Sequence, residues 1–462
     1  MDQKPQREHL GTRLGFILLS AGCAIGIGNV WKFPTITGAN GGGFFVLFYV
    51  LFLVIMGLPV MTMEFSLGRA SQKSPVRIYH TLTPEKKGWR AHGYAAFAGN
   101  IILMMFYTSV SAWMLCYFVY MLTGKFDGVT TIEGMKAIYS GMIGSPWLMI
   151  GFVAFVVALG FLVCSFNLAK GLERITKWMM LALLGLMVIL VINSLTLPGA
   201  KEGLKFYLVP NLDNFLDPSH NGVWGVIVAA MNQAFFTLSL GIGSMAIFGS
   251  FLSKDRALLG ESVNIALLDT AVAVMSGLII FPACFTFGVD VGGGPPLIFE
   301  TLPLVFSGMA GGRIFGSLFF LFLSFAALST VFAVFQNILS CSEELFGWEK
   351  KKACLFDGIG MFLLSIPCIL GYNLWSGLKI GSLSSVLDLE DYIVSSILLP
   401  LGALIFVLYC TSRRGWGWDN FMTEANTGKG LKIKKWMYYY MKFVLPCIIG
   451  VILVIGVITP FI

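Results

Sequence analysis

Charged residues are scarce in this sequence. They make up 12% of its 462 residues, whereas 57% of the residues are apolar. A soluble globular domain carries roughly 25% charged residues, so the composition excludes an ordinary soluble fold. The chain is instead predicted to use lipid as its solvent and to cross a membrane several times.

The sequence also lacks the motifs of enzymes and of ATP-driven pumps. It contains no H-E-x-x-H, no G-x-S-x-G and no G-x-x-x-x-G-K-[ST]. Its nine cysteines lack the paired spacing of a metal site or a disulfide framework. The net charge of +7 is spread between apolar segments, so nucleic acid is not an expected partner. We therefore expect neither a catalytic site nor a nucleotide-binding domain.

Long apolar segments are what the sequence does contain. About 20 apolar residues cross the hydrocarbon core as a helix, and this length predicts an all-α polytopic membrane protein with eleven transmembrane helices. The predicted spans are 13–38, 43–68, 92–123, 144–165, 168–194, 222–251, 258–288, 309–342, 353–372, 386–411 and 437–461.

The distribution of lysine and arginine predicts the orientation of these spans. Most of the 31 basic residues fall on the cytoplasmic side if the N-terminus is inside, and an odd number of spans then places the C-terminus outside. The predicted parts are a cytoplasmic tail (1–12), a first five-helix repeat (13–194), an extracellular connection (195–221), a second, inverted five-helix repeat (222–411), a cytoplasmic loop (412–436) and an eleventh helix (437–462).

Two spans carry glycine-rich interruptions. Residues 22–29 of the first span read GCAIGIGN, and residues 237–243 of the sixth read TLSLGIG. These glycines could simply allow close helix packing. Their equivalent places in two inverted halves, however, are typical of a transporter's binding site at the membrane midplane. We expect local unwinding there, with freed carbonyls suited to sodium and freed N–H groups suited to a carboxylate.

Several longer motifs occur in order along nearly the whole chain. They are GIGNVWKFP at 26–34, NGGG at 40–43, GLPVMTMEFSLGR at 57–69, GLER at 171–174, QAFFTLSLG at 233–241, SFAALST at 324–330 and DLEDY at 388–392. Together they resemble the neurotransmitter:sodium symporter family, in its bacterial amino-acid branch. The resemblance implies two inverted five-helix repeats with helices 1 and 6 unwound, and a sodium-coupled symporter that works by alternating access.

The resemblance implies two sodium sites. The first would use Ala24, Asn29, Thr237 and Asp269, and the second Gly22, Ile25, Ala326, Ser329 and Thr330. Oxygen ligands suit a hard cation, although hydroxyls such as those of Ser329 and Thr330 can also bond back to their own helix. Asp269 stands where many relatives have asparagine. In animal members a bound chloride supplies negative charge near this site, so Asp269 implies chloride-independent transport; the alternative is a protonated, purely structural aspartate.

The substrate site implied by the resemblance would hold an amino acid by its carboxylate. Backbone N–H groups at Ile27 and Gly28 and the Tyr107 hydroxyl would bind that group, and Gly26 lacks the carboxylate with which monoamine carriers bind an amine. The remaining implied substrate-binding residues are Ala24, Leu103, Phe236, Thr237, Ser239, Ile242, Thr330, Val331 and Val334. This largely apolar set favours a hydrophobic or aromatic amino acid, although each apolar residue alone is more often simple packing.

Alternating access requires gates on both sides. The resemblance implies Tyr107 with Phe236 as an outer lid, Lys32 with Asp391 as an outer ion pair, and Arg7 with Glu344 on the inner side. Any of these charges could instead lie at a solvated helix end.

Two rival functions remain open from the sequence. One is a channel, because interrupted helices also build selectivity filters, and the other is a sensor that binds an amino acid without transport. We expect the bilayer and an amino acid as partners, a multi-pass protein of the bacterial inner membrane, and a monomer or homodimer.

Overall fold

The computed structural model of the chain describes residues 11–168, 171–217, 220, 222–288, 291, 297–309, 311–378, 383 and 385–458. Arg7, the predicted inner-gate residue, lies outside these ranges, as do the last residues of the predicted eleventh span.

Helices account for nearly all of the described structure. The first half contains α1 (Arg13–Ala24), α2 (Gly28–Ala39), α3 (Gly43–Ser71), α4 (Pro75–Leu82), α5 (Lys87–Thr123), α6 (Ile132–Ile143), α7 (Pro146–Ser165) and α8 (Leu172–Leu195). The rest contains α9 (Ala200–Leu208), α10 (Leu212–Leu216), α11 (Gly222–Thr237), α12 (Ser244–Gly249), α13 (Leu258–Phe287), α14 (Ile298–Gly308), α15 (Gly312–Phe346), α16 (Lys350–Leu370), α17 (Val386–Thr411), α18 (Trp418–Ala425) and α19 (Met437–Ile458).

The helices confirm the prediction of an all-α membrane protein. Within the described residues, nine are long and apolar enough to cross a membrane, and the bent pair α1 and α2 forms a tenth candidate. The predicted sixth span consists of the 16-residue α11 and the short α12, separated by non-helical residues. The exact count of eleven spans therefore stays a prediction.

Both predicted interruptions are breaks in the helical backbone. Between α1 and α2 the chain bends by 56° at a break where Ile25 is extended (φ −73°, ψ 92°). Between α11 and α12, Ser239, Gly241 and Gly243 adopt φ values of 50°, 100° and 73°. Only glycine fits at position 241, because a Cβ atom there would lie 2.0 Å from the Leu399 carbonyl oxygen. The residues between Thr237 and Ser244 are called the α11–α12 break below.

Burial separates central from peripheral helices. In the most apolar window of each helix, 83% of residues are buried in α15 and 72% in α5, but only 28% in α16 and α19. Helices α5 and α15 therefore form the centre of the fold, and α1 and α12, one from each broken span, both contact α15. Helices α16 and α19 present apolar side chains outward, as lipid-facing helices do.

Candidate functional site

A fully buried carboxylate lies where the two broken spans meet. Asp269 of α13 accepts hydrogen bonds from Asn29 Nδ2 (2.8 Å), Thr237 Oγ1 (3.1 Å) and the Tyr49 hydroxyl (3.2 Å). These hydrogen-bond donors are all neutral, whereas a carboxylate inside a membrane is costly unless a cation balances it. The cluster therefore suits a small monovalent cation held by oxygen atoms.

Tyr49 is a member of this cluster that the sequence did not reveal. It lies in the apolar run of α3, fully buried, and its hydroxyl points to the carboxylate of Asp269. A single tyrosine among phenylalanine, leucine and valine residues was the available signal, since a buried hydroxyl requires a partner. Which helix supplies that partner depends on tertiary packing.

A second group of oxygens joins α1 to α15. The Ser329 hydroxyl lies 3.3 Å from the Ile25 carbonyl oxygen, and the Thr330 hydroxyl lies 3.2 Å from that of Gly22. Ser329 also lies 2.9 Å from the Ala326 carbonyl within its own helix. Because a hydroxyl has one proton, Ser329 donates to either its own helix or α1 at any moment. All five predicted residues of this second site lie together.

Between these groups lies a small central cavity of about 10 Å³, room for about one water molecule. At its edge the Ile27 N–H donates to the Tyr107 hydroxyl oxygen at 2.9 Å. A Cβ atom at Gly26 would lie 2.1 Å from that oxygen, so a side chain there would fill the cavity. The lining residues are Cys23, Ala24, Gly26, Gly28, Leu103, Tyr107, Phe236, Ser239, Thr330 and Leu399.

This lining differs in part from the predicted substrate site. Cys23 and Leu399 line the cavity although the sequence assigned them no role. Ile242, Val331 and Val334 are buried close by but are not among the lining residues. The Ile242 side chain instead packs against Gly99, where an added Cβ would lie 2.9 Å from its Cγ2 atom.

A wider cavity of about 190 Å³ lies on the side predicted to face out, with Lys32, Asp388 and Asp391 on its wall. Tyr107 and Phe236 line both this outer cavity and the central one, so their rings lie between the two. This is the arrangement expected of a thin lid.

The outer ion pair and the ring of the lid are in direct contact. Lys32 Nζ lies 3.1 Å from Asp391 Oδ2 and 3.8 Å from the centre of the Phe236 ring. The ion pair is about 30% exposed on each side, so it stabilises the closed arrangement by about 0.2–1 kcal/mol. The cation–π contact adds about 0.5–1 kcal/mol, and the sequence did not reveal it.

Glu344, predicted to lie on the inner side, is held by the N-terminal end of α4. Its Oε2 atom accepts hydrogen bonds from the Ser74 N–H (3.0 Å) and the Ser74 hydroxyl (2.7 Å), and Lys73 Nζ lies 3.9 Å from Oε1. The predicted partner Arg7 lies outside the described residues.

Two further carboxylates hold the N-terminal end of α1. Glu173 of α8 accepts hydrogen bonds from the Gly11 N–H (2.8 Å) and the Thr12 hydroxyl (2.7 Å). Glu261 of α13 pairs with Arg13 at 2.9 Å and is 3% exposed. These contacts are called the α1 ties below. Glu173 belongs to the GLER motif at 171–174, and the sequence predicted no role for it.

The α11–α12 break is held by polar side chains from two other spans. Glu64 of α3 accepts hydrogen bonds from the N–H groups of Gly241 (2.6 Å) and Met245 (3.2 Å). Asn100 of α5 donates to the Ile242 carbonyl at 2.8 Å. Backbone groups freed by a break at membrane depth require such partners. An ionisable residue in the apolar run of α3 was the signal that could have identified Glu64.

None of the described residues forms a group of three or more His, Cys, Asp or Glu side chains able to hold a metal ion. The oxygen atoms described above are carbonyls, hydroxyls, an amide and one carboxylate, a set that suits a hard cation better than a transition metal.

Comparisons with known proteins agree along the whole chain. The model of the sodium:neurotransmitter symporter family matches residues 7–130 and 140–461. The uncharacterized sodium-dependent transporter YhdH of Bacillus subtilis is 33% identical over 453 residues, which cover 98% of this chain and 97% of that protein. The sodium- and chloride-dependent taurine transporter of Bos taurus is 26% identical over 491 residues, covering 96% and 77% of the two chains. The crystal structure of MhsT in complex with L-phenylalanine matches with a TM-score of 0.87 and 34% identity, covering 97% of this chain and 100% of that one.

Proposed function

We propose that this chain, which belongs to the sodium:neurotransmitter symporter family, imports a hydrophobic or aromatic amino acid by alternating access. As a member of that family it is a sodium-dependent membrane transporter and not an enzyme. The proposal includes two sodium ions bound near the substrate and independence from chloride.

One observation carries the choice of an amino acid. The Ile27 N–H, next to the start of α2, and the Tyr107 hydroxyl meet at the wall of a cavity that is otherwise largely apolar. The N-terminal end of a helix carries partial positive charge, and broken helices of transporters direct it at anionic substrate groups. A carboxylate would bind the Ile27 N–H and the Tyr107 hydroxyl, and the apolar side chain of the substrate would contact the apolar residues once they move apart, because the cavity as it stands has room for about one water molecule.

The rest of the lining supports an apolar side chain. Leu103, Phe236 and Leu399 contribute hydrocarbon, and the cavity contains no charged side chain among its described lining residues. MhsT, whose fold this chain shares, was crystallised with L-phenylalanine. An aromatic or large aliphatic amino acid is the corresponding substrate here.

For sodium, we assign the first ion to the oxygens around Asp269 and the second to those between α1 and α15. The first ion would balance the Asp269 carboxylate, which has only neutral hydrogen-bond donors. It would be held by Asn29, Thr237 and the Ala24 carbonyl. The second would be held by the residues that join Gly22 and Ile25 to Ser329 and Thr330.

The same carboxylate supports the proposed independence from chloride. Asp269 is a fixed negative charge within hydrogen-bond distance of Thr237 and Asn29, so a mobile anion is not needed to balance the cations. The taurine transporter, by contrast, is named as chloride-dependent.

We also propose how access alternates. Tyr107 and Phe236, with Lys32 and Asp391, would close the outer side, and the α1 ties with Glu344 would close the inner side. Contacts of both sets are present among the described residues, and in this proposal the two sets open in turn. The protein would lie in the cell membrane of a bacterium, N-terminus inside and C-terminus outside, as a monomer or homodimer.

Uptake into proteoliposomes tests this function. We would measure radiolabelled phenylalanine, tryptophan, tyrosine and leucine with sodium or potassium outside, and with chloride or gluconate. For wild type we expect saturable uptake that requires sodium and does not depend on chloride. For Asp269→Asn we expect uptake that is impaired or that becomes dependent on chloride.

The matched control is Asp357→Asn, which changes another carboxylate within a membrane span, bonded to Ser342 of α15 and not to the sodium cluster. It should leave the chloride response unchanged. Uptake by wild type that ignores sodium would refute the symporter, non-saturable flux would favour a channel, and binding without accumulation would favour a sensor.

A further inference from the structure

A second small cavity lies between α5, the α11–α12 break and α17. Its volume is about 30 Å³, which is room for at least one water molecule. Its wall includes His92 and Ala96 of α5, Gly241 and Ile242 of the break, and Gly402 of α17. Its described lining residues include none of those assigned to the sodium sites or the gates, so the proposed function gives this cavity no task.

The two ring nitrogens of His92 have different surroundings. The Tyr79 hydroxyl lies 2.5 Å from Nδ1, and no other hydrogen bond of this buried hydroxyl is found among the described residues. The hydroxyl therefore donates to Nδ1, because a buried hydroxyl needs an acceptor, and in the neutral ring Nε2 then carries the proton. Nε2 is buried at the cavity and has no hydrogen-bond partner in the part of the chain that the structure describes.

The Gly241 carbonyl is a second unpaired group at the same cavity. Glu64 binds the Gly241 N–H at 2.6 Å, but no hydrogen bond to the carbonyl oxygen is found within the described ranges. A Cβ atom at Gly402 would lie 1.9 Å from this oxygen and 3.0 Å from His92 Nε2. The two atoms therefore border the same space, near each other but not in hydrogen-bond geometry, and the glycine at position 402 leaves that space open.

We propose that the second cavity holds a water molecule that joins His92 to the α11–α12 break. The water accepts the proton of Nε2 and donates a hydrogen bond to the Gly241 carbonyl. Buried polar groups without a partner are costly, and buried waters occupy sites of this size where two or more such groups converge. His92 is thereby a positioning residue, since it acts on the break through the water and contacts neither substrate nor sodium.

The water completes a set of ties that hold the break. Glu64 of α3 binds the Gly241 N–H, and Asn100 of α5 binds the Ile242 carbonyl; the water holds the Gly241 carbonyl between them. Backbone at membrane depth depends on such partners, so the loss of one tie should loosen the break and with it Thr237 and Ser239. Only this effect on transport rests on the proposed function.

A crystal structure of the full chain, at a resolution that shows ordered water, tests the site itself. We expect one water molecule within hydrogen-bond distance of both His92 Nε2 and the Gly241 carbonyl oxygen. A dry cavity, or a direct bond between Nε2 and Gly241, would overturn the water site. This measurement uses wild type and so decides the question even if a variant does not fold.

The variants His92→Phe and His92→Gln test the positioning role. Phenylalanine keeps a ring against Phe406, whose centre lies 4.6 Å from that of His92, but has no donor, whereas glutamine keeps a side-chain N–H group. In His92→Phe we expect hydrogen–deuterium exchange of the amides at 238–246 to rise about 2- to 12-fold, the factor for one lost hydrogen bond. The sodium concentration for half-maximal uptake and the KM for every amino acid should rise similarly, with kcat little changed. His92→Gln should stay close to wild type.

The control is His80→Phe on α4, the same substitution at a ring that lies against Tyr94, with 6.4 Å between the ring centres. It should change neither exchange nor transport. Unchanged exchange in His92→Phe, or equal effects of His92→Phe and His92→Gln, would overturn the positioning role. Wild type that takes up no amino acid with sodium would overturn the proposed function alone, because the crystal structure and the exchange rates still decide this inference.

Discussion

Tyr107→Phe should weaken substrate binding without disturbing the fold of α5. The substitution removes one buried oxygen and leaves the ring that separates the two cavities. A hydrogen bond to a charged group contributes about 1.5–3 kcal/mol, so loss of the bond from the Tyr107 hydroxyl to a bound carboxylate would raise KM by roughly 10- to 150-fold, at about 1.4 kcal/mol per tenfold.

A hydrogen bond in the substrate-free protein lowers the expected increase in KM. Without substrate, the Tyr107 oxygen accepts the Ile27 N–H at 2.9 Å, and the variant leaves that buried N–H unpaired at a cost of about 1–3 kcal/mol. An incoming carboxylate satisfies the N–H, which recovers part of that cost on binding. We therefore expect an increase in KM near tenfold, at the low end of the range.

The assay is sodium-driven phenylalanine uptake, with competition by phenylalaninol, which lacks the carboxylate. Wild type should prefer phenylalanine strongly, and the variant should lose about the same factor in that preference as it loses in KM. Tyr117→Phe is the matched control: it lies on the same helix, is equally buried, and removes a 2.7 Å hydrogen bond to the Phe299 carbonyl. An unchanged KM in Tyr107→Phe, or an equal rise for both compounds, would refute the assignment of Tyr107 to the carboxylate.

Three other substitutions have expected outcomes. Lys32→Met removes both the outer ion pair and the contact with the Phe236 ring, together about 0.7–2 kcal/mol. It should speed release of bound phenylalanine to the outside about 3- to 30-fold in a dissociation assay. Unaltered release would show that the pair does not hold the lid. Gly241→Ala places a Cβ at φ 100° against a backbone oxygen and should abolish the peak of folded, monodisperse protein on size-exclusion chromatography. The control is Gly185→Ala in α8, where an added Cβ would meet nothing within 4 Å, and it should elute normally. Normal elution of both variants would contradict the strained break. Thr330→Val removes one oxygen between α1 and α15. Because a lost polar contact costs about 1–2 kcal/mol, the sodium concentration for half-maximal uptake should rise roughly tenfold. An unchanged sodium dependence would exclude Thr330 as a ligand.

Features that depend on local sequence could be predicted. Apolar length identified the spans, and the glycines at 241 and 243 identified a break, because left-handed backbone is readily available only to glycine. Asp269 stood out because a carboxylate in an apolar run needs an explanation. The family resemblance is confirmed along the chain, and the predicted ligand sets remain proposals that the geometry supports.

Features that depend on which helices are neighbours could not be predicted. Glu64, Glu173 and Tyr49 each bind a residue more than one hundred positions away, and no local pattern specifies that partner. Ile242 was assigned to the substrate cavity by its place in a motif. The left-handed residues on either side of it turn the chain so that its side chain lies over Gly99 instead.

The α1 ties have a consequence for how such a carrier can evolve. Helix α1 has 12 residues, so the ties to Glu173 and Glu261 lie about 18 Å from the break at the proposed substrate site. With the ties closing the inner side as proposed, mutations there would change how often that side opens, and hence the turnover rate, without altering the residues proposed to bind the substrate. Selection for transport rate and selection for substrate preference can therefore act on separate sets of residues in the same chain.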